Sequence, residues 1–208
     1  KFDDAFYTVG VGGLVYFGSS VDNKIYALDA DDGSVVWSYF TGGSVRTAPT
    51  VNGGYLYASS DDGYIYCLNA TTGAFVWKYS TMTTQKYVLG SERMVSKCPS
   101  RSGVVVDSGT VYFGIGNFRE NGISMVALNA SNAAEIWRNT DASQYRDFTP
   151  QGYPVLTSTR IIAPSGRMRP ASFNRGTGAY DYTAEKPDTF KGSGAGVYLT
   201  VVGNKFFA

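Results

Sequence analysis

An all-β fold of repeated four-stranded antiparallel sheets is the class predicted by this 208-residue sequence, and three observations predict it. The first is internal repetition. Ala27-Leu28-Asp29-Ala30-Asp31-Asp32-Gly33-Ser34-Val35-Val36-Trp37 recurs forty residues later as Cys67-Leu68-Asn69-Ala70-Thr71-Thr72-Gly73-Ala74-Phe75-Val76-Trp77. A third copy runs from Ala127-Leu128-Asn129 through Ala133 to Trp137, and a fourth from Ser172-Phe173-Asn174 through Gly178 to Tyr182, and in all four the aromatic side chain stands ten positions after the small one. The second is a period of two within each unit, bounded by Gly, Asn and Asp. The third is the lack of any window with a convincing amphipathic helical pattern. Four antiparallel strands per ~40 residues, repeated, describe the blades of a β-propeller, in which radial stacking covers each sheet with the next. An immunoglobulin-like sandwich would not repeat its sequence at this period.

Taken in order, the chain reads as one propeller segment over 1–208, with repeats at about 5–43, 44–80, 103–139 and 152–183 and a partial one at 194–208. The motif starts are spaced by 40, 60 and 45, which places insertions between units at 81–102 and 138–153. In the second unit Ser44–Val51, Tyr55–Ser60, Tyr64–Asn69 and Ala74–Tyr79 are predicted strands. They are joined at Asn52-Gly53-Gly54, Asp61-Asp62-Gly63 and Thr71-Thr72-Gly73, residues that supply the positive φ of tight turns. Small residues at Ala27, Cys67, Ala127 and Ser172 leave room for the indoles of Trp37, Trp77 and Trp137 and for Tyr182. Gly33, Gly73 and Gly178 permit a left-handed turn, and Asp29 or Asn69 can accept its amides. At Ala133 and Tyr182 the pattern slips, which predicts looser blades. Val197–Val202 and Lys205–Ala208 form a last strand pair, for about four and a half blades in all. An open ring would expose sheet edges and an uncovered face, so the remaining blades of a longer chain, or a partner chain, are expected to close it.

Composition narrows function by exclusion. Eighteen Lys and Arg against seventeen Asp and Glu give +1, too little to draw the chain to nucleic acid or an anionic membrane. No apolar stretch approaches the ~20 residues of a transmembrane helix. With no histidine, Ser-His-Asp and Cys-His nucleophilic sites, an HExxH zinc site and CxxCH haem attachment are excluded. Cys67 and Cys98 lack CxxC spacing and read as buried thiols in preference to a disulfide or metal ligands. A start at Lys1 without an initiator Met or signal-like stretch is expected to reflect processing or truncation.

The form A-x-D/N-x-x-x-G-x-x-x-W, preceded by Val15-Tyr16-Phe17-Gly18-Ser19 and followed by Phe40-Thr41-Gly42-Gly43-Ser44-Val45, resembles the tryptophan-docking repeat of pyrroloquinoline quinone (PQQ)-type β-propellers. That superfamily includes quinoprotein alcohol dehydrogenases and repeat proteins that bind no quinone, such as outer-membrane assembly lipoproteins. The resemblance covers about residues 5–208, is strongest in the first two repeats, and implies a periplasmic, outer-membrane-associated or extracellular location.

It also implies a candidate site. In quinoprotein dehydrogenases a Gly-x-Gly-Asn run supplies a calcium ligand, and an Asp about ten residues past the blade's tryptophan is the general base. Here Gly114-Ile115-Gly116-Asn117 precedes Trp137, and Asp147 follows it by ten. With PQQ and calcium bound, Asn117 would be the metal ligand and Asp147 would take the alcohol proton. Against this, no adjacent Cys-Cys pair exists, Phe118-Arg119 follow the Asn, and Arg146 abuts the proposed base. The alternative is a turn residue and a solvated loop charge. Other motifs read as turns: Gly10-Val11-Gly12-Gly13 and Gly192-Ser193-Gly194-Ala195-Gly196 do not fit GxGxxG, and Asp29–Gly33 lacks the spacing and terminal Glu of a calcium loop. The Asn69-Ala70-Thr71 and Asn129-Ala130-Ser131 sequons fall on the repeat turn.

Charge is uneven: residues 1–80 carry 4 basic and 8 acidic side chains, residues 81–175 carry 11 and 6. Links between propeller blades emerge on one rim, so both insertions are expected there, bringing Lys86, Arg93, Lys97, Arg101 and Arg146 together near the central channel. The leading expectation is a noncatalytic scaffold without cofactor that binds a protein or anionic polymer through this face. The alternatives are part of a PQQ- and calcium-dependent quinoprotein alcohol dehydrogenase and, third, a carbohydrate-acting enzyme, which only four glutamates and no evident carboxylate pair disfavour.

Overall fold

The structure, a computed structural model, describes residues 7–90, 93–140, 148–166, 168–181, 199–202 and 205–207. Strands β1 (Val9–Val11), β2 (Leu14–Gly18), β3 (Lys24–Asp29) and β4 (Val35–Phe40) form the first antiparallel sheet in chain order. The second holds β5 (Thr50–Asn52), β6 (Tyr55–Ser59), β7 (Tyr64–Asn69) and β8 (Phe75–Ser80). A separate hairpin, β9 (Tyr87–Gly90) with β10 (Arg93–Ser96), precedes the third sheet. That sheet comprises β11 (Val105–Asp107), β12 (Thr110–Ile115), β13 (Ser124–Asn129) and β14 (Glu135–Asn139). The fourth has β15 (Val155–Leu156), β16 (Arg160–Ser165) and β17 (Met168–Asn174), with a bridge from Phe173 to Tyr180 where a fourth strand would pair. Strands β18 (Thr200–Val202) and β19 (Lys205–Phe207) pair at the end of the chain. The predicted propeller blades are present. Among the described residues, no helix is long and apolar enough to cross a membrane.

The core lies between blades, and the period of two explains it. Tyr16, Ala27 and Trp37 are cross-strand partners on one face of the first blade. They meet Leu56, Ala58, Leu68 and Ala70 of the second. The opposite face of the second blade carries Tyr57, Cys67 and Trp77, which are buried with Val111, Phe113, Val126 and Leu128 of the third. Tyr112, Ala127 and Trp137 repeat this against Ile161, Ala163 and Phe173 of the fourth. A register shift after Ala27, Cys67 and Ala127 inserts one extra residue before each tryptophan. This β-bulge turns the indole to the same face as the small residue, where a larger side chain would collide with it. Both cysteines are free thiols buried in the core between the second and third blades.

The repeat turns behave as their composition requires. Asn69 Oδ1 accepts from the amides of Thr71 and Thr72, and Asn174 Oδ1 from Gly176 and Thr177. Gly33, Gly73 and Gly178 hold φ of 74, 70 and 71°, and Ala133 adopts the same left-handed conformation at 59°. The slip at Ala133 leaves the turn intact, its amide donating to Asn129 O at 2.9 Å as Gly73 does to Asn69. Gly12 and Gly13 close the β1–β2 turn with positive φ, and Gly33 closes the Asp29–Gly33 turn. Tyr182 and Gly192–Gly196 lie outside the described residues.

Two strand expectations are corrected. Ser44–Val51 pairs only from Thr50, because the amide of Val45 donates to Ser19 O and the carbonyl of Ser44 accepts from Asp61 N, neither in the sheet ladder. Residues 44–49 are instead a largely buried link. Ala74–Tyr79 is displaced by one residue, to Phe75–Ser80. The 81–102 insertion, predicted only as a loop, holds the β9–β10 hairpin, and β14 extends to Asn139 inside the second insertion.

Candidate binding face

Hydrogen bonds sort the turns onto two rims. On one, the first turn of each blade supports the third: Ala30 N donates to Gly13 O, Ala70 N to Gly54 O, Ala130 N to Gly109 O and Arg175 N to Thr159 O. On the other, links between blades rest on the second turns. Thr41 N donates to Asn23 O, Thr81 N to Gly63 O, Gly116 N to Pro99 O, and Gln151 N to Pro164 O. Close packing of link side chains explains Gly18 and Gly114 here: a Cβ would stand 2.2 Å from the Val45 side chain and 2.1 Å from the Pro150 ring. Two links converge where Ala48 N donates to Tyr153 Oη, and the link before the third blade also meets the end of β6, where Ser59 Oγ donates to Ser102 O.

At the centre of the link rim is Asp61, 1% exposed. Its backbone ties two links together, its N–H donating to Ser44 O and its carbonyl accepting from Ser96 N. Its carboxylate accepts from Arg46 Nε at 2.6 Å and Arg101 Nε at 3.2 Å. The neighbouring Asp62 carboxylate accepts from Gly42 N at 2.7 Å, Tyr64 N at 3.0 Å and Tyr66 Oη at 2.6 Å. Burial pushes the Tyr66 phenol far up, and the Asp62 carboxylate adds to the effect.

The structure distributes the predicted cations unequally. Arg93 docks on the first blade, donating to Ser20 O at 2.6 Å, Val21 O at 2.8 Å, Asn23 Oδ1 and Ser44 Oγ. Arg101 is paired with Asp61 while its side chain stays 36% exposed, so each of the two cations has a partner within the fold. Lys86 is exposed and Lys97 half-buried, joined through the Lys97 N to Lys86 O bond of 2.8 Å. Arg146 lies outside the described residues, as does Asp147. The hairpin between these lysines presents Tyr87, Val88, Leu89 and Met94 to solvent, Leu89 at 77% and Met94 at 58%.

Asn117 sits in the second turn of the third blade, behind Gly116, where a Cβ would stand 2.1 Å from Gly122 O. With its amide turned to satisfy its neighbours, Oδ1 accepts from Arg101 Nη1 at 2.9 Å and Nε at 3.3 Å. An oxygen facing a guanidinium does not fit a calcium ligand, which requires several convergent oxygens without a competing cation. No group of three or more His, Cys, Asp or Glu suited to a metal occurs among the described residues. Asn117 is thus engaged by Arg101, and Asp147, the other residue of that alternative, lies outside the described residues.

Sequence reasoning passed over Arg46 and Asp61. Arg46 falls within an expected strand and Asp61 within a hairpin turn, and the pairings of Asp61 with Arg46 and Arg101 span 15 and 40 residues, beyond any local pattern. The doubled Asp61-Asp62 of that turn was the one available signal.

Comparison with known proteins accords with the architecture. The crystal structure of BamB from Moraxella catarrhalis is 22% identical with TM-score 0.57, covering 81% of this chain and 45% of that one. Quinohemoprotein alcohol dehydrogenase from Comamonas testosteroni is 20% identical with TM-score 0.65, covering 84% and 34%. The computationally designed Ika8 protein gives TM-score 0.64 at 12% identity, covering 96% and 53%. The chain thus spans less than half the length of the first two, and these likenesses concern the fold. A search of curated protein sequences found no match. Residues 2–199 match the family described as outer membrane protein assembly factor BamB, and to that family of PQQ-type repeat β-propellers the chain belongs.

Proposed function

We propose that this chain is a noncatalytic scaffold of the cell envelope or the cell exterior that binds a protein or anionic polymer through its link rim, without quinone or calcium. The observation that carries this reading is the β9–β10 hairpin: it is anchored by Arg93 to the first blade and by Ser96 to Asp61, yet leaves Leu89 and Met94 exposed between Lys86 and Lys97. An apolar strip on a fastened support, flanked by cations, suits a partner that contributes apolar side chains and acidic groups. Membership of the BamB family supports an envelope location, and the docking of each tryptophan on the next blade supports a rigid platform. Further blades, in the same chain or a partner, would complete the ring.

The reading is tested by site-specific photocross-linking in envelope extracts. A cross-linker at Leu89 should yield a discrete adduct, and one at Asn132 on the opposite rim should not. Adducts from Asn132 alone would overturn it. So would stoichiometric uptake of PQQ with calcium, detected by cofactor absorbance.

A further inference from the structure

We propose that Arg46 and Arg101, held side by side by the buried Asp61 carboxylate, form a clamp for a ligand carboxylate on the link rim. The two guanidinium groups occupy different oxygens of Asp61, Arg46 on Oδ2 and Arg101 on Oδ1, each through Nε. Both Nη atoms of Arg46, and Nη2 of Arg101, make no hydrogen bond to the described residues, while Nη1 of Arg101 is met by Asn117. The side chains of Arg46 and Arg101 are 47% and 36% exposed, whereas Asp61 is 1% exposed.

Arg101 has a structural role, since it joins Asp61 to Asn117, and it is Arg46 that such a role leaves unexplained. One guanidinium neutralises Asp61, and the Asp61 backbone already fastens both links. Two guanidinium groups on one carboxylate leave a net charge of +1, matched by a single carboxylate better than by a phosphate of about −2. The Arg46 fork, with both Nη atoms unengaged by the described residues, is suited to bidentate carboxylate recognition, and Nη2 of Arg101 adds one further donor. The clamp rests on the link rim as the contact surface, and the ligand is the carboxylate of an acidic peptide segment or a free organic acid.

Isothermal titration at low salt with a short oligoglutamate peptide, and separately with malonate, tests the clamp. Saturable binding of either supports it, and which one binds identifies the source. Arg46→Gln keeps the Arg101–Asp61 pair and should weaken binding about tenfold or more, as expected for a lost charged hydrogen bond. Lys78→Gln, an exposed charge on the edge strand β8 away from the proposed contact surface, should change it less than about twofold. Failure of both ligands to saturate, wild-type affinity in Arg46→Gln, or equal weakening by Lys78→Gln overturns the clamp. The rim reading is judged separately by the Leu89 cross-link, which can form in a protein that binds neither ligand.

Discussion

The indole Nε1 of Trp37 donates to the carbonyl of Ala70 at 2.9 Å, across the boundary between the first and second blades. Trp77 makes the same bond to Ala130 at 3.0 Å and Trp137 to Arg175 at 3.1 Å. A tyrosine ring lies beside each indole, at centroid distances of 6.0, 5.9 and 6.2 Å. Each aromatic therefore fills its own blade's face and satisfies the next blade's turn. Trp77→Ala should destabilise by about 3–5 kcal/mol, since it empties a core site. Trp77→Phe, which retains most of the ring and loses the donor, should cost less. Urea unfolding compares the two, and equal losses would show that the hydrogen bond, not packing, dominates.

Glycine substitutions separate backbone strain from inter-blade collision. Gly33 and Gly73 share a left-handed φ of 74 and 70°. A Cβ on Gly33 meets nothing within 4 Å, whereas on Gly73 it would stand 2.7 Å from the Trp37 ring. Gly33→Ala should thus cost about 1–2 kcal/mol, the left-handed penalty alone, and Gly73→Ala distinctly more. Equal thermal shifts would refute the contact.

How much of this was legible in sequence depended on range. The blade and its turns follow from local rules: small residue, Asn or Asp, glycine and tryptophan at fixed offsets determine a hairpin and a bulge within eleven residues. That the tryptophan serves the following blade was hidden, because Trp37 and Ala70 are 33 residues apart. The link rim was harder still. Arg93 carries a charge that composition reads as solvated, but Ser20 and Val21 carbonyls, more than 70 residues upstream, capture it. Ser44–Pro49 reads as strand by its alternation, and the close passage permitted by Gly18 removes it from the ladder.

The β9–β10 hairpin should depend on Arg93. Its fork donates to Ser20, Val21, Asn23 and Ser44, which a lysine's single ammonium cannot reproduce with the same geometry. Arg93→Lys is expected to accelerate amide hydrogen exchange over residues 86–97 while strands β6 and β7 stay protected. Uniform acceleration throughout would mean that the hairpin does not open as a local unit.

Alkaline conditions should unfold the protein through its buried neutral groups. Burial pushes the Cys67 thiol up to about 12 from 9.0, and the Tyr57 phenol, also raised by nearby Cys67, up to about 12 from 10.0. Burial likewise pushes Tyr79 up to about 12, its hydroxyl donating to Glu135 Oε2 at 2.5 Å. For each, the folded state favours the protonated form. The stability they contribute is therefore complete below the unfolded values of 9.0 and 10.0 and is lost as pH rises toward and through about 12. Urea midpoints should fall over that interval, and Cys67 should resist thiol reagents near about pH 8 until unfolding. A level midpoint across the interval would contradict the burial of these groups.

Asp61 and Asp62 are adjacent, nearly fully buried and yet electrostatically distinct, which gives paired substitutions discriminating power. Asp61 holds Arg46 and Arg101, whereas the Asp62 carboxylate accepts from Gly42 N, Tyr64 N and Tyr66 Oη and forms no salt bridge with the described residues. Asp61→Asn leaves two guanidinium groups converging on an uncharged amide, so part of its destabilisation is repulsion between exposed cations. Asp62→Asn replaces an acceptor of neutral donors and leaves no such repulsion. Raising salt from about 0.05 to about 0.5 M shortens the screening length from roughly 14 to roughly 4 Å. The thermal deficit of Asp61→Asn should shrink over that range, while the deficit of Asp62→Asn, measured against wild type at each salt, should stay nearly constant. A parallel response of the two variants would show that the two arginines do not share Asp61 in solution.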